Sequence, residues 1–399
     1  MAKAEYLPRH VDRSVADALE SFPIVVLDGP RAVGKTTTAE QFAKSEVRLP
    51  RDLSLIEFDA SSTLSTMEPP VLIDEWQLAG TDLLWTLKEL ADNDPAPGQF
   101  ILTGSVEPST YGPTYPLTGR ATRLVMRPMT QAELRGDGDS PPFLGRLLEG
   151  AAPVPAVGQE SGFALEHLFT TGFPAAREQT DASMFLNGYA ALVSQRAGDE
   201  GRDASRLLKT LAVLGVLTAQ ALPDQRIWDS ADINKATWKA YDDLLTRVHL
   251  STPLPAYSSN ALKRLTSYPK RLLADTALSL ALADLTQEDL RSHPTTAGRY
   301  VESFVVQQLR PQTDAANGRL FHLRTSGGDH EVDVILEVAG TRFAFEVKAG
   351  PRPTADDAKH LVWLHNELGE DLSLSFVVHT GTDTYKVTEH TWAIPANLL

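Results

Sequence analysis

The chain has 399 residues, 37 Lys and Arg against 52 Asp and Glu, a formal net charge of −15, and no cysteine. This length predicts two or three domains, and the lack of cysteine excludes disulfides and thiolate metal sites and fits a reducing cytoplasm. The acidic balance argues against nucleic-acid binding over the whole surface. Charged residues precede the first apolar run, and no run of about 18 apolar residues is present to span a membrane. We therefore expect a cytoplasmic protein without a signal peptide or a membrane partner.

The first apolar run is followed by a pattern that predicts a phosphate-binding loop. Ile24–Leu27 predicts a strand, a glycine-rich loop follows, and Thr36–Ala43 predicts a helix. The glycines let backbone N–H groups approach a triphosphate, the lysine can reach the β- and γ-phosphates, and the hydroxyl of Thr36 can bind Mg²⁺. The residues predicted to contact ATP are Gly29, Pro30, Arg31, Ala32, Val33, Gly34, Lys35, Thr36 and Thr37.

Two further apolar runs predict strands that end beside this loop. The run Val71–Glu75 ends in two acids, of which Asp74 is predicted to hold Mg²⁺ and Glu75 to orient or deprotonate the attacking water. The run Phe100–Ser105 ends in hydroxyls, so Thr103 or Ser105 is predicted to hydrogen-bond the γ-phosphate or that water. An ordinary polar turn is the alternative for either hydroxyl.

Alternating strands and helices over the first 130 residues predict a parallel sheet covered by helices. Arginines then follow at Arg120, Arg123 and Arg127. Arg120 follows a glycine turn and is our first choice for an arginine finger, which would reach the γ-phosphate of a neighbouring subunit in an oligomer. A solvated surface arginine is the alternative.

The middle of the chain is locally basic. Residues 201–271 carry 11 Lys and Arg against 6 acids, which is the footprint of a nucleic-acid contact or, alternatively, of a solvated helical face. A helix over 203–220, a polar turn, a helix over 232–245 and strand-like residues after 248 are typical of a winged helix. The candidate DNA contacts at the start of the second helix are Asn234, Lys235, Thr237 and Lys239. A packing or oligomerisation module is the alternative.

Two alternating runs near the C-terminal end predict a β-hairpin. The runs are His330–Val338 and Arg342–Lys348, and a turn at Ala339–Gly340 places Asp333 opposite Glu346. Opposed carboxylates repel and require a cation, which predicts Mg²⁺ or Mn²⁺ between them with Lys348 beside it. Replacing either acid by its amide is then expected to leave the metal-free protein at least as stable. A solvated, charged hairpin face is the alternative.

Several motifs in chain order resemble one family of bacterial and archaeal AAA-type ATPases whose C-terminal half is catalogued as a domain of unknown function. The motifs are Tyr6–Arg9, Gly29–Arg31, Gly34–Thr37, Ile73–Gln77, Thr103–Ser105, Leu117–Arg120 with Pro128 and Glu133, and Gly172–Pro174. The resemblance implies an AAA+ core, a winged-helix-like middle, a restriction-endonuclease-like C-terminal fold and a homo-oligomeric ring such as a hexamer.

The spacing of the hairpin residues also resembles the PD-(D/E)XK nuclease superfamily, in its Holliday-junction-resolvase-like branch. This resemblance implies that Glu302 (on a helix predicted over 299–310), Asp333 and Glu346 bind metal and that Lys348 is catalytic. Residues 300–399 nevertheless carry 8 Lys and Arg against 14 acids, which is an unfavourable balance for binding DNA.

We therefore predict an α/β protein of several domains. The predicted parts are a P-loop AAA+ core over 1–135, a mobile Gly/Pro-rich linker or lid over 136–160, a helical, winged-helix-like domain over 161–290 and a nuclease-like domain over 291–399. The predicted function is ATP hydrolysis coupled to DNA binding or processing. The alternative is an ATP-operated switch or scaffold for protein partners, in which the nuclease-like domain is inactive.

Overall fold

The computed structural model describes residues 6–104, 116–153, 162–177, 179, 181–199, 201–258, 268–325 and 328–399. The chain divides into two compact units. The first comprises the described residues of Met1–Arg127, Gly136–Asp139 and Arg247–His249, and the second those of Pro128–Arg135, Ser140–Thr246 and Leu250–Leu399. Among these residues, no helix is long and apolar enough to cross a membrane.

The first unit is built on a five-stranded sheet. Its elements are α1 (Val11–Leu19), β1 (Ile24–Asp28), α2 (Lys35–Ala39), β2 (Ser45–Arg48), α3 (Leu53–Ser65), β3 (Val71–Asp74), a 3₁₀ helix (Trp76–Ala79), α4 (Gly80–Asn93), β4 (Phe100–Thr103) and β5 (Ala121–Val125). The strand order is β2-β3-β4-β1-β5, and every neighbouring pair is parallel. The predicted parallel sheet is confirmed.

The sheet brings the ends of three strands to one edge. Strands β1 and β4 are buried along their whole length, as expected for apolar strands covered on both faces. In the register, Thr103 lies beside both Leu27 and Asp74. The loop after β1 and the acid at the end of β3 therefore meet at the carboxyl edge of the sheet.

Helix α2 is shorter than the helix predicted over Thr36–Ala43. Its α-helical turns end at Ala39, and the N–H groups of Gln41 and Phe42 bond the carbonyl oxygens three residues earlier. This tighter turn lets the chain leave the helix, and Phe42 and Ala43 pack against the core of the first unit.

The second unit combines helices with a six-stranded sheet. Its helices are α5 (Gln131–Leu134), α6 (Phe143–Leu148), α7 (Ala182–Asp199), α8 (Ala204–Val216), α9 (Asp224–Ala231), α10 (Lys235–Arg247, whose last residue lies in the first unit), α11 (Thr276–Leu282), α12 (Gln287–Ser292), α13 (Pro294–Ala315) and α14 (Lys359–Leu368). Its strands are β6 (Gln220–Ala221), β7 (Lys270–Arg271), β8 (Arg319–Arg324), β9 (Glu331–Val338), β10 (Thr341–Val347), β11 (Leu372–His379), β12 (Tyr385–Lys386) and β13 (Thr391–Pro395). Short 3₁₀ helices span Leu165–Phe169, Pro174–Ala176, Ala355–Ala358, Gly369–Asp371 and Ala396–Leu398.

The middle of the second unit alternates helices with short strands. Helix α8 is followed by β6, then α9 and α10, and β6 pairs antiparallel with β7. Isolated antiparallel bridges join Ser251 to Leu273 and Leu254 to Lys270. The region predicted as a strand after residue 248 therefore forms β-bridges beside β7.

The large sheet has the order β12-β13-β11-β10-β9-β8. Strands β8, β9 and β10 are antiparallel neighbours, whereas β10, β11 and β13 are parallel neighbours. Val334 and Leu336 of β9 belong to the hydrophobic core that contains α13, and Ile335 belongs to the core that contains Leu361 and Leu364 of α14. The strands thus have one helix-covered core on each face.

The predicted hairpin and its register are confirmed. Val338 pairs with Thr341, and the antiparallel register continues to the pair Val334–Phe345. Ala339 and Gly340 both have positive φ angles, 49° and 82°, as a two-residue turn with left-handed residues requires.

The predicted mobile connector at 136–160 is wrong for its central part. Residues 143–148 form helix α6, and its apolar side chains are buried in the core of the second unit. The ring of Phe143 meets that of Phe376 edge-on at 5.5 Å, and the N–H of Leu144 donates to Gln312 Oε1 at 2.9 Å. The glycines and prolines on either side of α6 are typical of a linker, so the short apolar helix between them was not predicted from the sequence.

Candidate nucleotide site and C-terminal carboxylate cluster

The loop after β1 has the backbone that its glycines predict. Gly29 and Gly34 have φ angles of 142° and 100°, and Ala32 between them is also left-handed at 61°. A Cβ atom at Gly29 would lie 2.4 Å from the carbonyl oxygen of Met126, so only glycine fits this close approach. Pro30 and Val33 are buried, whereas the side chains of Arg31, Ala32 and Thr37 are exposed.

Lys35 is held inside the loop that it is predicted to serve. Its Nζ donates hydrogen bonds to the carbonyl oxygens of Gly29 and Pro30, at 2.9 and 2.8 Å. Burial lowers the pKa of Lys35 to about 8, although the nearby carboxylates of Asp28, Glu75 and Asp74 act against this shift. A further negative charge at the loop would stabilise the ammonium form.

Asp74 is the meeting point of the predicted Mg²⁺ residues. Its Oδ1 accepts a hydrogen bond from Thr36 Oγ1 at 2.9 Å and another from Thr103 Oγ1 at 2.5 Å. Thr103 is fully buried. Its hydroxyl therefore contacts Asp74, and the predicted bond to the γ-phosphate or the attacking water stays a prediction. Ser105 lies outside the described residues.

Glu75 adopts a left-handed conformation with φ of 55° immediately after β3. Strained backbone at a non-glycine residue is frequent at functional sites. Gln77 Nε2 donates to Glu75 Oε2, and Trp76 is buried beside it. A Cβ at Gly104 would lie 2.5 Å from Gln77 Oε1, so this glycine makes room for the residues that hold Glu75.

Sequence reasoning missed an acid at the start of the loop. Asp28 is buried, its Oδ1 accepts from the Gly29 N–H at 2.8 Å, and its Oδ2 lies 3.0 Å from His249 Nε2 and 3.6 Å from Arg123 Nη1. Burial raises the pKa of Asp28, but its bonds to His249 and Gly29 outweigh that effect and hold the pKa below its usual range. His249 is more than 200 positions away, and no local pattern connects the two.

A second residue that sequence reasoning missed is Arg9, which appears above only within one of the motifs that carry the family resemblance. Arg9 is buried, and its guanidinium donates to the carbonyl oxygens of Val33 at 3.0 Å and Arg127 at 2.7 Å. Nearby, the Tyr6 hydroxyl donates to Asp12. Arg9 thus links the phosphate-binding loop to the residues after β5.

Arg120 lies at the opposite edge of the sheet from the loop. Its carbonyl oxygen accepts from the N–H of Ile24, which is the first residue of β1. Its Nε donates to Asp92 Oδ1 in α4. Arg120 therefore cannot serve its own nucleotide site, and the predicted finger is restricted to action on another subunit.

In the second unit, Glu302, Asp333 and Glu346 lie together and are called here the carboxylate cluster. Lys270 of β7 enters it: its Nζ lies 2.6 Å from Glu302 Oε1 and 3.1 Å from Asp333 Oδ1. The side chain of Lys270 is 2% exposed. Burial lowers the pKa of Lys270, but Glu302 and Asp333 outweigh burial and raise it above its usual range.

Glu346 and Lys348 complete the predicted set. Lys348 Nζ donates to Glu346 Oε1 at 2.9 Å, while Asp333 Oδ2 accepts from the N–H of Val347 at 2.8 Å. Burial and the adjacent Asp333 raise the pKa of Glu346 to about 8. Burial and Asp333 also raise the pKa of Glu302 well above its usual range.

The expected metal ion at the carboxylate cluster stays a prediction. The four predicted residues come together, and Lys270, a second cation that sequence reasoning did not select, lies against Glu302 and Asp333. No group of three or more His, Asp or Glu side chains suited to a metal ion is found in the described ranges. The amide variants are no longer expected to behave alike, because Asp333 now has a cationic partner.

In the basic region, residues 201–271, some of the cations are paired with acids of the same region. Arg271 is buried, its guanidinium contacts Asp242 and lies 3.1 Å from Asp224 Oδ1, and its Cζ is 5.2 Å from the ring centroid of Trp238. With Lys270, this removes two of the 11 basic residues from the candidate surface. Of the candidate DNA contacts, Lys235 and Lys239 are exposed and Thr237 is half-buried, and the exposed Asn234 caps α10 by accepting from the N–H of Thr237.

Known families match three parts of the chain. Residues 21–135 match the AAA domain, residues 164–289 match a domain of unknown function, DUF8612, and residues 297–399 match another, DUF4143. Uncharacterized proteins from Mycobacterium tuberculosis and Mycobacterium bovis are each 26% identical to the chain over 395 residues, which is 95% of this chain and 81% of theirs.

Solved structures similar to parts of the chain include a Walker-type ATPase and a RuvB variant. A Walker-type ATPase of Pyrococcus abyssi is 16% identical, with a TM-score of 0.39, and the match covers 70% of this chain and 99% of that one. A RuvB variant of Thermotoga maritima is 17% identical, with a TM-score of 0.28, covering 71% and 93%. Together with the geometry around Lys35 and Asp74, the family matches support an AAA-type ATPase with a DUF4143 domain at its C-terminal end.

Proposed function

We propose that the first unit binds Mg²⁺-ATP at residues 29–37 and hydrolyses it. The observation that carries this proposal is the hydrogen bond of 2.9 Å between Thr36 Oγ1 and Asp74 Oδ1, because it brings the loop and the acid of β3 to one point. Hydroxyl and carboxylate oxygens are the ligands that Mg²⁺ prefers, so these residues fit the ion. When bound, Mg²⁺ would neutralise charge on the phosphates.

The surrounding residues have separate roles in this proposal. Lys35 exchanges its two loop carbonyls for phosphate oxygens, which stabilise the ammonium charge that burial disfavours. Glu75 orients or deprotonates water, and Gln77 holds its carboxylate. Thr103 is a positioning residue for Asp74.

The test is phosphate release by the purified full chain with ATP, with and without Mg²⁺. We expect Asp74→Asn to reduce Mg²⁺-dependent turnover by about 100-fold, because a positioned metal and charge supply several kcal/mol of transition-state stabilisation. Asp82→Asn, which changes an exposed acid at the start of α4, is the matched control. Equal turnover in the two variants would remove Asp74 from the mechanism.

We also propose that the chain acts as a homo-oligomeric ring such as a hexamer, with Arg120 serving a neighbouring site. Exposed apolar side chains on adjacent helices support a subunit interface: Phe58 and Leu55 of α3 are 92% and 58% exposed, and Trp85 of α4 is 48% exposed.

The assembly proposal predicts that specific ATPase activity rises with protein concentration. Arg120→Ala should lower turnover while ATP affinity is retained, because a finger stabilises only the transition state. Asp92→Ala breaks the same ion pair but keeps the arginine, so it should retain turnover. Full activity in a chain that light scattering shows to be monomeric would contradict the proposal.

For the second unit, we propose a winged helix over 204–273 and a PD-(D/E)XK-like fold after it. The order α8, β6, α9, α10 and then paired extended segments supports the winged helix. A helix, three antiparallel strands, a second helix and a parallel strand support the second fold. The exposed Lys235 and Lys239 support DNA binding, which remains the first candidate role for ATP turnover.

A second candidate function is an ATP-operated switch or scaffold for protein partners. It is favoured by the lysine inside the carboxylate cluster and by the acidic balance of residues 300–399. ATPase activity measured with and without DNA at moderate salt separates the two functions, because only DNA processing requires stimulation by DNA.

A further inference from the structure

Lys270 is an unusual residue to find at its position. An isolated buried ammonium group is costly, so its burial must be compensated by nearby anions. Two carboxylates lie within 3.1 Å of its Nζ, and Glu331 Oε1 lies 3.7 Å away. The lysine therefore neutralises the same two acids that a divalent ion would need as ligands.

At the other end of the carboxylate cluster, one oxygen of Glu346 has no hydrogen-bond donor among the described residues. The Oε2 atom of Glu346 is buried and accepts no hydrogen bond from the described residues, and only its Oε1 contacts Lys348. Glu346 is 7% exposed. A buried carboxylate oxygen beside Asp333 without a donor marks a place where a second cationic group could bind.

Arg271 fixes the strand that carries the lysine. Successive residues of a strand point to opposite sides, and the Arg271 guanidinium contacts Asp224 and Asp242 of α9 and α10. Lys270 N–H and carbonyl groups also pair with Leu254. The ion pairs of Arg271 and the hydrogen bonds to Leu254 therefore fix the backbone that places the Lys270 ammonium group in the carboxylate cluster.

We propose that Lys270 is the resident cation of the carboxylate cluster and excludes divalent metal from Glu302 and Asp333 in the folded chain. Removing the ammonium group leaves Glu302 and Asp333 without their main counter-charge, whereas Glu346 keeps Lys348. The carboxylate cluster then takes up a divalent cation. This inference does not depend on ATP hydrolysis by the first unit.

The test is titration of the full chain with Mn²⁺ in the absence of nucleotide, followed by the electron paramagnetic resonance signal of free Mn²⁺. The parent should show no Mn²⁺ site that disappears in Glu302→Gln or Asp333→Asn. Lys270→Met should gain one such site, which binds Mn²⁺ at least tenfold more tightly than any Mn²⁺ binding seen in the parent, and Lys270→Met combined with Glu302→Gln should lose it. Lys209→Met, at an exposed position of α8, should behave as the parent.

Two results would overturn the inference. One is a parent site for Mn²⁺ that Asp333→Asn abolishes, since lysine and metal would then share the cluster. The other is a folded Lys270→Met protein that binds no additional Mn²⁺. If Lys270→Met does not fold without metal, refolding in Mn²⁺ replaces the titration. Recovery of the circular dichroism signal would support the inference, and failure to recover it would count against it.

Discussion

Lys35→Ala is expected to weaken ATP binding by about 100-fold, because the triphosphate loses its buried cation, and 1.4 kcal/mol corresponds to about a tenfold change in affinity. Glu75→Gln should instead retain ATP affinity and lose turnover by about 100-fold or more, which is typical for removal of a general base. Binding of a fluorescent ATP analogue and steady-state phosphate release distinguish the two effects.

The exposed ion pair Lys44–Glu68 supplies a matched control for each change. Lys44→Ala and Glu68→Gln remove the same chemical groups from the same unit at a distance from the loop. Both should bind and hydrolyse ATP as the parent does. Normal turnover by Glu75→Gln would show that another group activates the water.

Asp333→Asn and Glu346→Gln are expected to change stability in opposite directions. Asp333→Asn removes one partner of buried Lys270, and breaking a buried ion pair in this way costs about 3 kcal/mol. Glu346→Gln removes a carboxylate whose charged form burial and Asp333 disfavour, and its amide oxygen can still accept from Lys348. We therefore expect the glutamine variant to be more stable than the parent at alkaline pH.

The pH dependence of the free energy of unfolding follows from the raised pKa of Glu346. The folded-state pKa of Glu346 is about 8, above the ordinary value of 4.5, so the folded chain retains a proton that the unfolded chain loses. Its contribution is fully present below about pH 4.5 and is lost as the pH rises through about 8. Glu346→Gln should thus gain on the order of 4 kcal/mol at pH 8 and less than about 1 kcal/mol at pH 5.

Urea unfolding in chelator, followed by tryptophan fluorescence at both pH values, measures these differences. Glu337→Gln is not a suitable control because Glu337 pairs with two arginines, whereas Glu370→Gln changes an exposed acid of the same unit. A Glu346→Gln protein that is less stable than the parent at pH 8 would mean that the charged carboxylate is needed in the fold.

The sequence allowed prediction of features that depend on neighbouring residues. The glycine-rich loop, the acids after β3 and the hairpin register each follow from a short pattern, because strand alternation and turn chemistry are local. The position of Thr103 was also predicted, but not its bond to Asp74. That bond depends on β4 lying between β1 and β3, which is a property of the whole sheet.

The features that sequence reasoning missed join residues far apart in the chain. His249 meets Asp28, Arg9 meets Arg127, and Lys270 meets Asp333 through the folding of whole units. Lys270 had been counted only as one of several basic residues, and a count of charges does not distinguish a buried counter-ion from an exposed one. Helix α6 was missed because its glycine- and proline-rich flanks resemble a linker.

Strand β7 has only two residues, and both carry a buried cation with its own acidic partners. A shift of β7 by one residue would exchange the sides that Lys270 and Arg271 face, and a positive group would still face each set of acids. The two arrangements therefore do not differ in net charge. They differ in the shape of the charged group. The ammonium is a compact point donor, whereas the guanidinium is a wide planar fork suited to two carboxylates and an aromatic ring. The difference between lysine and arginine, rather than their shared charge, therefore fixes which side of β7 faces the carboxylate cluster.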